Sequence, residues 1–394
     1  MKEWRKVKLG DLYEVHNGLS KGRQFFGTGF PFLTFSNVFN NWFLPNELDS
    51  LVQTTDKERE ACSIKYGDVF ITRTSETMNE LGMSSVALKD YPDATYNGFT
   101  KRLRPFTDKV LPNYIGYYLR SPKFRGKFMA FSSMTTRASL ANDNLLNMEI
   151  ELPPMDVQKK IATTLSRYDS LIDNYQKQIK LLEEAAQRLY KEWFAQNNNL
   201  ETIKLVDISS KITDGVHNTV YNEEGSPYKL LSCKNVVGGH LMISSSERSI
   251  SKDTFEKLRK RTQLEKGDIL VSTVGSVGEV VYLDIEPDHF EFQRSVGIIK
   301  ADKNVITPLY VYYSLLNRKN ELKRTAHGAA QQCLFISDLK NFEIPIGSKE
   351  QIQNFEHFAK PISERITNAR HQLRLLTESR DRLLPKLLSG EIEV

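Results

Sequence analysis

The longest regular pattern in the chain lies between Met155 and Trp193. Ile161, Leu165, Tyr168, Ile172, Tyr175, Ile179, Leu182, Ala186, Leu189 and Trp193 recur at alternating steps of four and three. That is a 3.5-residue period held for more than four heptads, and it predicts a long helix with one apolar seam. Gly and Pro are absent from the stretch, and Lys, Glu, Asp and Gln fill most other positions. A straight helix of about 35 residues is roughly 50 Å long at 1.5 Å per residue, and a single seam on it needs a partner helix. Near the C-terminus, Ile362, Ile366, Ala369, Leu373, Leu376, Leu383 and Leu387 keep the same rhythm, with Arg380 in the seam position between Leu376 and Leu383. Pro361 is expected to kink or delimit the start of this second helix and Pro385 its end.

Ahead of each helix the pattern changes to short strands broken by turns. Phe32–Phe35 and Val69–Thr72 read as strands, Pro112–Leu119 as a helix with Pro in its first turn, and Met148–Leu152 as a last strand feeding the first long helix. The order then repeats. Gly267–Thr273 lies 200 positions after Gly67–Arg73, Pro308–Leu315 lies 196 after Pro112–Leu119, and Asn341–Ile346 lies 194 after Asn147–Leu152. Each copy then reaches a Gln, Gln158 or Gln351, and enters its long helix. The matches fall at strand and helix positions while the loops differ, so one scaffold is used twice with different surfaces. The expected fold is α+β: two similar mixed α/β globules separated by a pair of long antiparallel coiled-coil helices, with a pseudo-twofold axis. The expected boundaries are a first globule at 1–154, a central spacer helix at 155–198, a second globule at 199–347 and a C-terminal spacer helix at 348–394. Two separated reading heads suit a bipartite target. Half-sites one turn apart on duplex DNA are about 34–36 Å from centre to centre.

With 394 residues, two or three domains with sizeable cores are possible. The net charge of +5 permits a polyanionic partner without demanding one. Cys62, Cys233 and Cys333 are isolated and odd in number, which fits a reducing compartment and neither a disulfide framework nor a zinc site. Met1–Lys6 carries no apolar signal region and no apolar run approaches a membrane span, so a cytoplasmic location is expected. No P-loop and no GxGxxG follows a strand. Leu152-Pro153-Pro154-Met155 lacks the Asn that an amino-methyltransferase loop needs, and Pro287-Asp288 with Glu291 lacks the spacing and Lys of a nuclease site. The histidines never pair at i, i+4. No catalytic residue, metal ligand or bound cofactor is expected in this chain.

The loops offer hydrogen-bond donors instead. In the first globule these are Ser36, Asn37, Arg73, Thr74, Ser75, Lys101, Arg102 and Arg104, with Thr135, Thr136, Arg137 and Asn142 before its last strand. In the second they are Lys234, Asn235, Thr273, Gln293 and Arg294, with Gln331 and Gln332 in the matching loop. Arg reads guanine and Asn or Gln reads adenine in a bidentate fashion, while other basic residues hold phosphates. Tyr117, Tyr118, Tyr312 and Tyr313 fall at helical spacing and are expected in the core rather than stacked on bases. Tyr175, Leu182, Leu189, Trp193, Leu373, Leu376, Arg380 and Leu383 are the expected docking positions for partner chains along the seams. Arg380 in a seam would specify register or meet an acidic group.

With these residues in place, the chain resembles the specificity subunits of type I restriction–modification systems. The resemblance is carried by the two-copy plan and by three stretches: Ile150-Glu151-Leu152-Pro153-Pro154 through Gln158 and Ile161, its second copy Ile344-Pro345-Ile346 through Gln351-Ile352, and the ending Leu383-Leu384-Pro385 through Leu388-Ser389-Gly390-Glu391-Ile392. It covers nearly the whole chain. It implies that each globule is a target-recognition domain for one half of a split DNA sequence, and that the helices set the gap. It also implies two modification subunits carrying S-adenosylmethionine and adenine methylation, and two restriction subunits adding ATP-driven translocation and Mg2+-dependent cleavage, in defence against foreign DNA. The alternatives are a two-headed coiled-coil adaptor, an enzyme with duplicated domains, and a specificity subunit for a partner that fuses methylase and nuclease.

Overall fold

The computed structural model describes the chain apart from residues 1–3, 76–79, 132–137, 140, 198–199, 245 and 329–331. It divides into two compact units, Met1–Asn174 with Leu373–Val394, and Tyr175–Gln372. Both are mixed α/β domains, and the two long helices pack together.

In the first unit, strand Arg5–Lys8 pairs antiparallel with Glu149–Leu152 and so brings the start of the globule back to the start of the helix Met155–Tyr190. A four-stranded antiparallel sheet has the order Tyr13–Asn17, Thr100–Pro105, Val69–Thr72, Ser84–Val86. A smaller sheet places Phe26–Leu33 between Leu51–Val52 and Thr95–Tyr96, the last pair parallel. Helix Pro112–Arg120 buries Tyr114, Tyr117 and Tyr118 against the larger sheet. Ile161 and Leu165 of the central helix join that core with Leu384, Leu387 and Leu388 of the C-terminal helix. Lys160 Nζ donates to the Val394 carbonyl (2.9 Å) and Arg380 Nη1 to Asp169 (2.9 Å), so the two helices run antiparallel here.

The second unit repeats the plan. Glu201–Lys204 pairs with Glu343–Ile346, and the four-stranded sheet has the order Ser209–Asp214, Val296–Ala301, Ile269–Ser272, Val280–Tyr282. Lys229–Leu231 lies between Arg248–Ser249 and Phe290–Phe292. Helix Pro308–Asn317 buries Tyr310, Tyr312 and Tyr313. Its core includes Ala186, Tyr190 and Phe194 from the central helix and the turn after it, and Ile352, Phe355 and Ala359 from the C-terminal helix. Tyr190 packs on Phe355, and Glu183 pairs with Arg370 (2.6 Å), which is again an antiparallel match.

All four tyrosines expected in the core are buried. The expectation that the two prolines delimit the second helix is corrected: the C-terminal helix is continuous from Lys349 to Ser389, through both Pro361 and Pro385. Each proline removes one helical N–H and leaves the carbonyl four residues earlier, at His357 and Asp381, without its usual donor. Both prolines and both of those residues are exposed, so water serves the carbonyls and the helix continues.

Candidate nucleic-acid interface

The loops that leave the four-stranded sheet are held in both units by the same hydrogen bonds. In the first, the Thr72 hydroxyl donates to the Glu80 carbonyl (2.7 Å) and accepts from Met83 N (2.9 Å), while Gly82 N donates to the Thr72 carbonyl (3.0 Å). In the second, the Ser272 hydroxyl donates to the Ser276 carbonyl and accepts from Glu279 N (2.9 Å), while Gly278 N donates to the Ser272 carbonyl (2.9 Å). Gly82 and Gly278 close these loops with φ of +72° and +81°, the left-handed region that glycine adopts without strain. Nine residues separate Thr72 from Gly82 and five separate Ser272 from Gly278.

A second loop crosses beside the first. Arg73 N donates to the Phe99 carbonyl and Thr273 N to the Ser295 carbonyl, both at 2.9 Å. Gly18 and Gly215 lie so close to this loop that a Cβ would come within 2.2 Å of the Asn97 carbonyl oxygen and 2.0 Å of that of Phe292. A third shared device is a reciprocal helix cap, Thr34 with Asn37 and Ser232 with Asn235. Beneath each loop cluster lies a buried ion pair, Asp68 with Arg104 (2.6 Å) and Asp268 with Lys300 (2.7 Å). Burial pushes the Asp268 carboxyl above the usual carboxylate range, against the pull of Lys300. A rigid frame in duplicate thus carries loops of different length and chemistry.

The frame sorts the candidate donors. Arg73 is half-buried at a loop tip with Nη1 on Asn17 Oδ1 (3.3 Å), and Ser36 is exposed beside Asn40. Arg294 and Gln332 are exposed, and Gln293 is half-buried. Lys234 is exposed and paired with Glu247 (2.9 Å). Lys101 is largely covered, its amine on Asn142. Thr74–Ser75 forms a short strand with Ala138–Ser139. Thr135, Thr136, Arg137 and Gln331 lie outside the described residues.

Five candidates sit inside the scaffold. Arg102 is buried and donates to the carbonyls of Ala61 and Ser63 (3.3 and 2.7 Å). Arg104 is held by Asp68. Asn235 is buried, with its amide on the Met242 carbonyl and Glu247 (both 2.8 Å), and Asn37 closes its helix cap. Thr273 is buried with its hydroxyl on the Arg294 carbonyl (3.2 Å). Conversely, the loops expose aromatic rings that sequence pattern alone did not single out: Phe25, Phe26 and Phe99 in the first unit, and Tyr221 and Phe335 in the second. For Phe26, Phe99 and Tyr221 the signal was a large apolar residue next to Gly or Asn; Phe25 and Phe335 have no such neighbour.

Along the helices, Leu182, Leu189, Trp193, Leu373, Leu376, Leu383 and Tyr175 are half-buried. Leu189, Trp193 and Leu383 pack on the cores of their own units. Arg380 meets its acidic group within the chain, at Asp169, whose other oxygen accepts the Tyr117 hydroxyl at 2.5 Å, and its guanidinium lies 5.5 Å from the Trp42 ring. Among the described residues no cluster of His, Cys, Asp and Glu could hold a metal ion, and no helix is long and apolar enough to cross a membrane.

A family model described as the type I restriction modification DNA specificity domain matches residues 1–184 and again 199–373. The chain belongs to this family. The two matches coincide with the two copies of the frame. The type I restriction enzyme MjaIX specificity subunit of Methanocaldococcus jannaschii is 27% identical, the alignment covering 100% of this chain and 94% of that protein. The HindI specificity subunit of Haemophilus influenzae is 24% identical with both chains covered in full. The fold matches the crystal structure of a type I restriction–modification S subunit from M. genitalium, with a TM-score of 0.66 at 14% identity over 98% of this chain and 96% of that one. The chain is therefore the DNA specificity subunit of a type I restriction–modification system, a component without catalysis of its own. The resemblance seen in its junctions also acquires a physical basis in this specificity subunit. Gln158 is buried and its side chain accepts from Leu111 N while donating to the carbonyls of Lys109 and Pro153, all at 2.9 Å. Gln351 instead caps its helix through Ser348 N (2.9 Å).

Proposed function

We propose that this specificity subunit reads a split, asymmetric duplex DNA target, with the loops on 1–154 reading one block and those on 199–347 the other. The helical segments 155–198 and 348–394 set the gap between the blocks and dock the partner chains. The observation that supports this reading most directly is the duplicated frame with unlike loops: Thr72–Gly82 and Ser272–Gly278 are framed by the same bonds yet differ in length and in sequence. Identical heads would read a palindrome; unlike heads read two different blocks. Specific contacts come from exposed loop donors and aromatic rings, and basic side chains nearby hold phosphates.

In this reading two modification subunits supply S-adenosylmethionine-dependent adenine methylation and extrude the target base. Two restriction subunits supply ATP-driven translocation and Mg2+-dependent cleavage. The half-buried seam residues Tyr175, Leu182, Leu373 and Leu376 are the proposed docking positions for the partners. The complex works in the cytoplasm of a bacterium or archaeon. The test is methylation mapping in cells that express this chain with its modification subunit. The expected result is two short blocks with a fixed gap, and replacing residues 1–154 by those of another family member changes one block only. Methylation of an uninterrupted site, or a swap that changes both blocks, overturns the reading.

A further inference from the structure

We propose that Asn17, Arg73, Lys101 and Asn142 form a clamp for one backbone phosphate at the edge of the first unit's loops, and that the second unit lacks its counterpart. The inference rests on the DNA-reading function proposed above and adds an asymmetry to it: the two blocks are held with unequal dependence on salt.

Strand register places the four residues together. Lys101 lies opposite Asn17 on one side and opposite Ile71 on the other, and Arg73 follows two residues after Ile71. Arg73 Nη1 donates to Asn17 Oδ1 (3.3 Å), and Lys101 Nζ donates to Asn142 Oδ1. Both acceptors are neutral amides on exposed residues. Among the described residues neither cation has a carboxylate partner. Lys101 feels the consequence: burial, and then the charge of Arg73, hold its amine below the usual lysine range.

The hydrogen-bonding chemistry of the group is one-sided. Arg and Lys have donors only, and an Asn whose oxygen faces a cation turns its NH2 outward. Four residues thus offer donors and two positive charges with no acid between them. An anion placed there removes the repulsion between the cations and takes up the free donors, and phosphate suits the planar Arg fork. A duplex lying on these loops presents such an anion every few ångströms.

The second unit has the same backbone and the opposite chemistry. Asp214 stands in the register position of Asn17, Gly297 in that of Lys101, and Thr273 in that of Arg73. A Cβ at Gly297 would sit 2.7 Å from Cδ1 of buried Leu339, so a side chain there would have to displace Leu339. Asp214 is already matched by His217 Nε2 (2.7 Å) and Arg261 (3.8 Å). Exposed Arg294 lies nearby, its carbonyl accepting from Thr273, but a phosphate in the register position of Asn17 would face the Asp214 carboxylate.

The test uses the full chain assembled with its modification subunits and a labelled duplex, with affinity followed by fluorescence anisotropy across salt concentrations. Two variants are compared with the wild type: Arg73→Gln, and Asn142→Asp, which changes one exposed group and gives Lys101 a carboxylate. Each is expected to lower the slope of log K against log salt by about 0.9 and to weaken binding by roughly tenfold at 0.1 M salt. The loss should be the same for target duplexes and for duplexes altered in either block, with the melting temperature unchanged. An unchanged slope in both variants overturns the clamp. A loss confined to one base pair of the first block also overturns it, because that marks a base contact. A wild-type complex without preference for its methylated motif would instead refute the function proposed above. The slopes on non-target duplex would still decide the clamp.

Discussion

Phe355 is the most informative single position for the packing argument. It is fully buried on the C-terminal helix, and four rings surround it: Phe194 and Tyr313 at 5.7 Å, Tyr190 at 5.8 Å and Tyr310 at 6.1 Å between centroids. All four meet it edge to face, at interplanar angles of 79° to 85°. These rings come from two segments, the end of the central helix with the turn after it and the helix Pro308–Asn317, so no single side-chain movement closes the space left by a truncation. Phe355→Ala is therefore expected near the upper end of the usual range for a buried Phe, about 3–5 kcal/mol. Phe355→Leu restores much of the volume but not the edge-to-face pairs, each about 0.5–1.5 kcal/mol, and is expected to cost about 2 kcal/mol. In a unit of this size each kcal/mol moves the midpoint by about 2–4 °C, so the Ala variant should lower the melting of the second unit by roughly 6–20 °C. Calorimetry of the full chain measures this directly. An Ala variant that loses less than about 1 kcal/mol, well under the range for any buried Phe, refutes the claim that this cluster locks the helices to their unit. A Leu variant as damaging as Ala refutes the volume argument.

Three further outcomes follow from named contacts. Gly82→Ala should destabilise far more than Gly278→Ala, because its Cβ would meet the Phe128 ring at 2.2 Å whereas the one at Gly278 meets the flexible Lys323 side chain at 3.2 Å; paired thermal melts decide it. Gln158→Leu strands one N–H and two carbonyls at the start of the central helix and should cost about 3 kcal/mol or more by denaturant titration, with the loss in the first unit. Burial holds the Glu356 carboxyl above the ordinary glutamate value, against the opposing pull of Thr307 and Lys360. The folded state thus binds that proton more tightly than the unfolded one, and the group's contribution to stability declines as pH rises from the ordinary value through the raised one. Glu356→Gln should therefore melt higher than wild type at neutral pH, with the gap closing towards about pH 4, near the ordinary glutamate value.

Much of the architecture was legible in the sequence because it rests on periods that burial enforces. The 3.5-residue seam from Ile161 to Trp193 predicted a helix, and a helix runs from Met155 to Tyr190. The matched runs at 67–73 and 267–273 predicted equivalent strands, and both occupy equivalent places in their sheets. The prolines misled because a sequence does not say which side of a helix faces water. Pro361 and Pro385 fall on the exposed side, where the lost hydrogen bond is replaced by solvent. Side-chain direction limited the site in the same way. Lys101 and Arg102 are adjacent in one strand and so point to opposite faces. Lys101 reaches Asn142 at the start of the short helix Asn142–Leu146, while Arg102 enters the interior beneath Tyr96.

The repeat itself separates scaffold from surface, and it does so residue by residue. Where the two copies keep the same chemistry, the residue serves the frame. Asn37 and Asn235 both close helix caps, Asp68 and Asp268 both lie in buried ion pairs, and Gly18 and Gly215 both pass under a crossing loop. The ion pairs illustrate the point well. Burying opposite charges costs desolvation that their attraction offsets only in good geometry, yet each copy places one below its loops, where one backbone N–H, of Lys65 or Glu265, meets the carboxylate as the turn forms. Where the copies differ, nothing in the frame demands the residue. Arg73 and Thr273 occupy one position, as do Lys101 and Gly297, and the first member of each pair meets no internal need that the second must also meet. A charge that the fold does not require, left without a counter-charge among the described residues and beside a second one, is accounted for in the proposed clamp by what lies outside the chain.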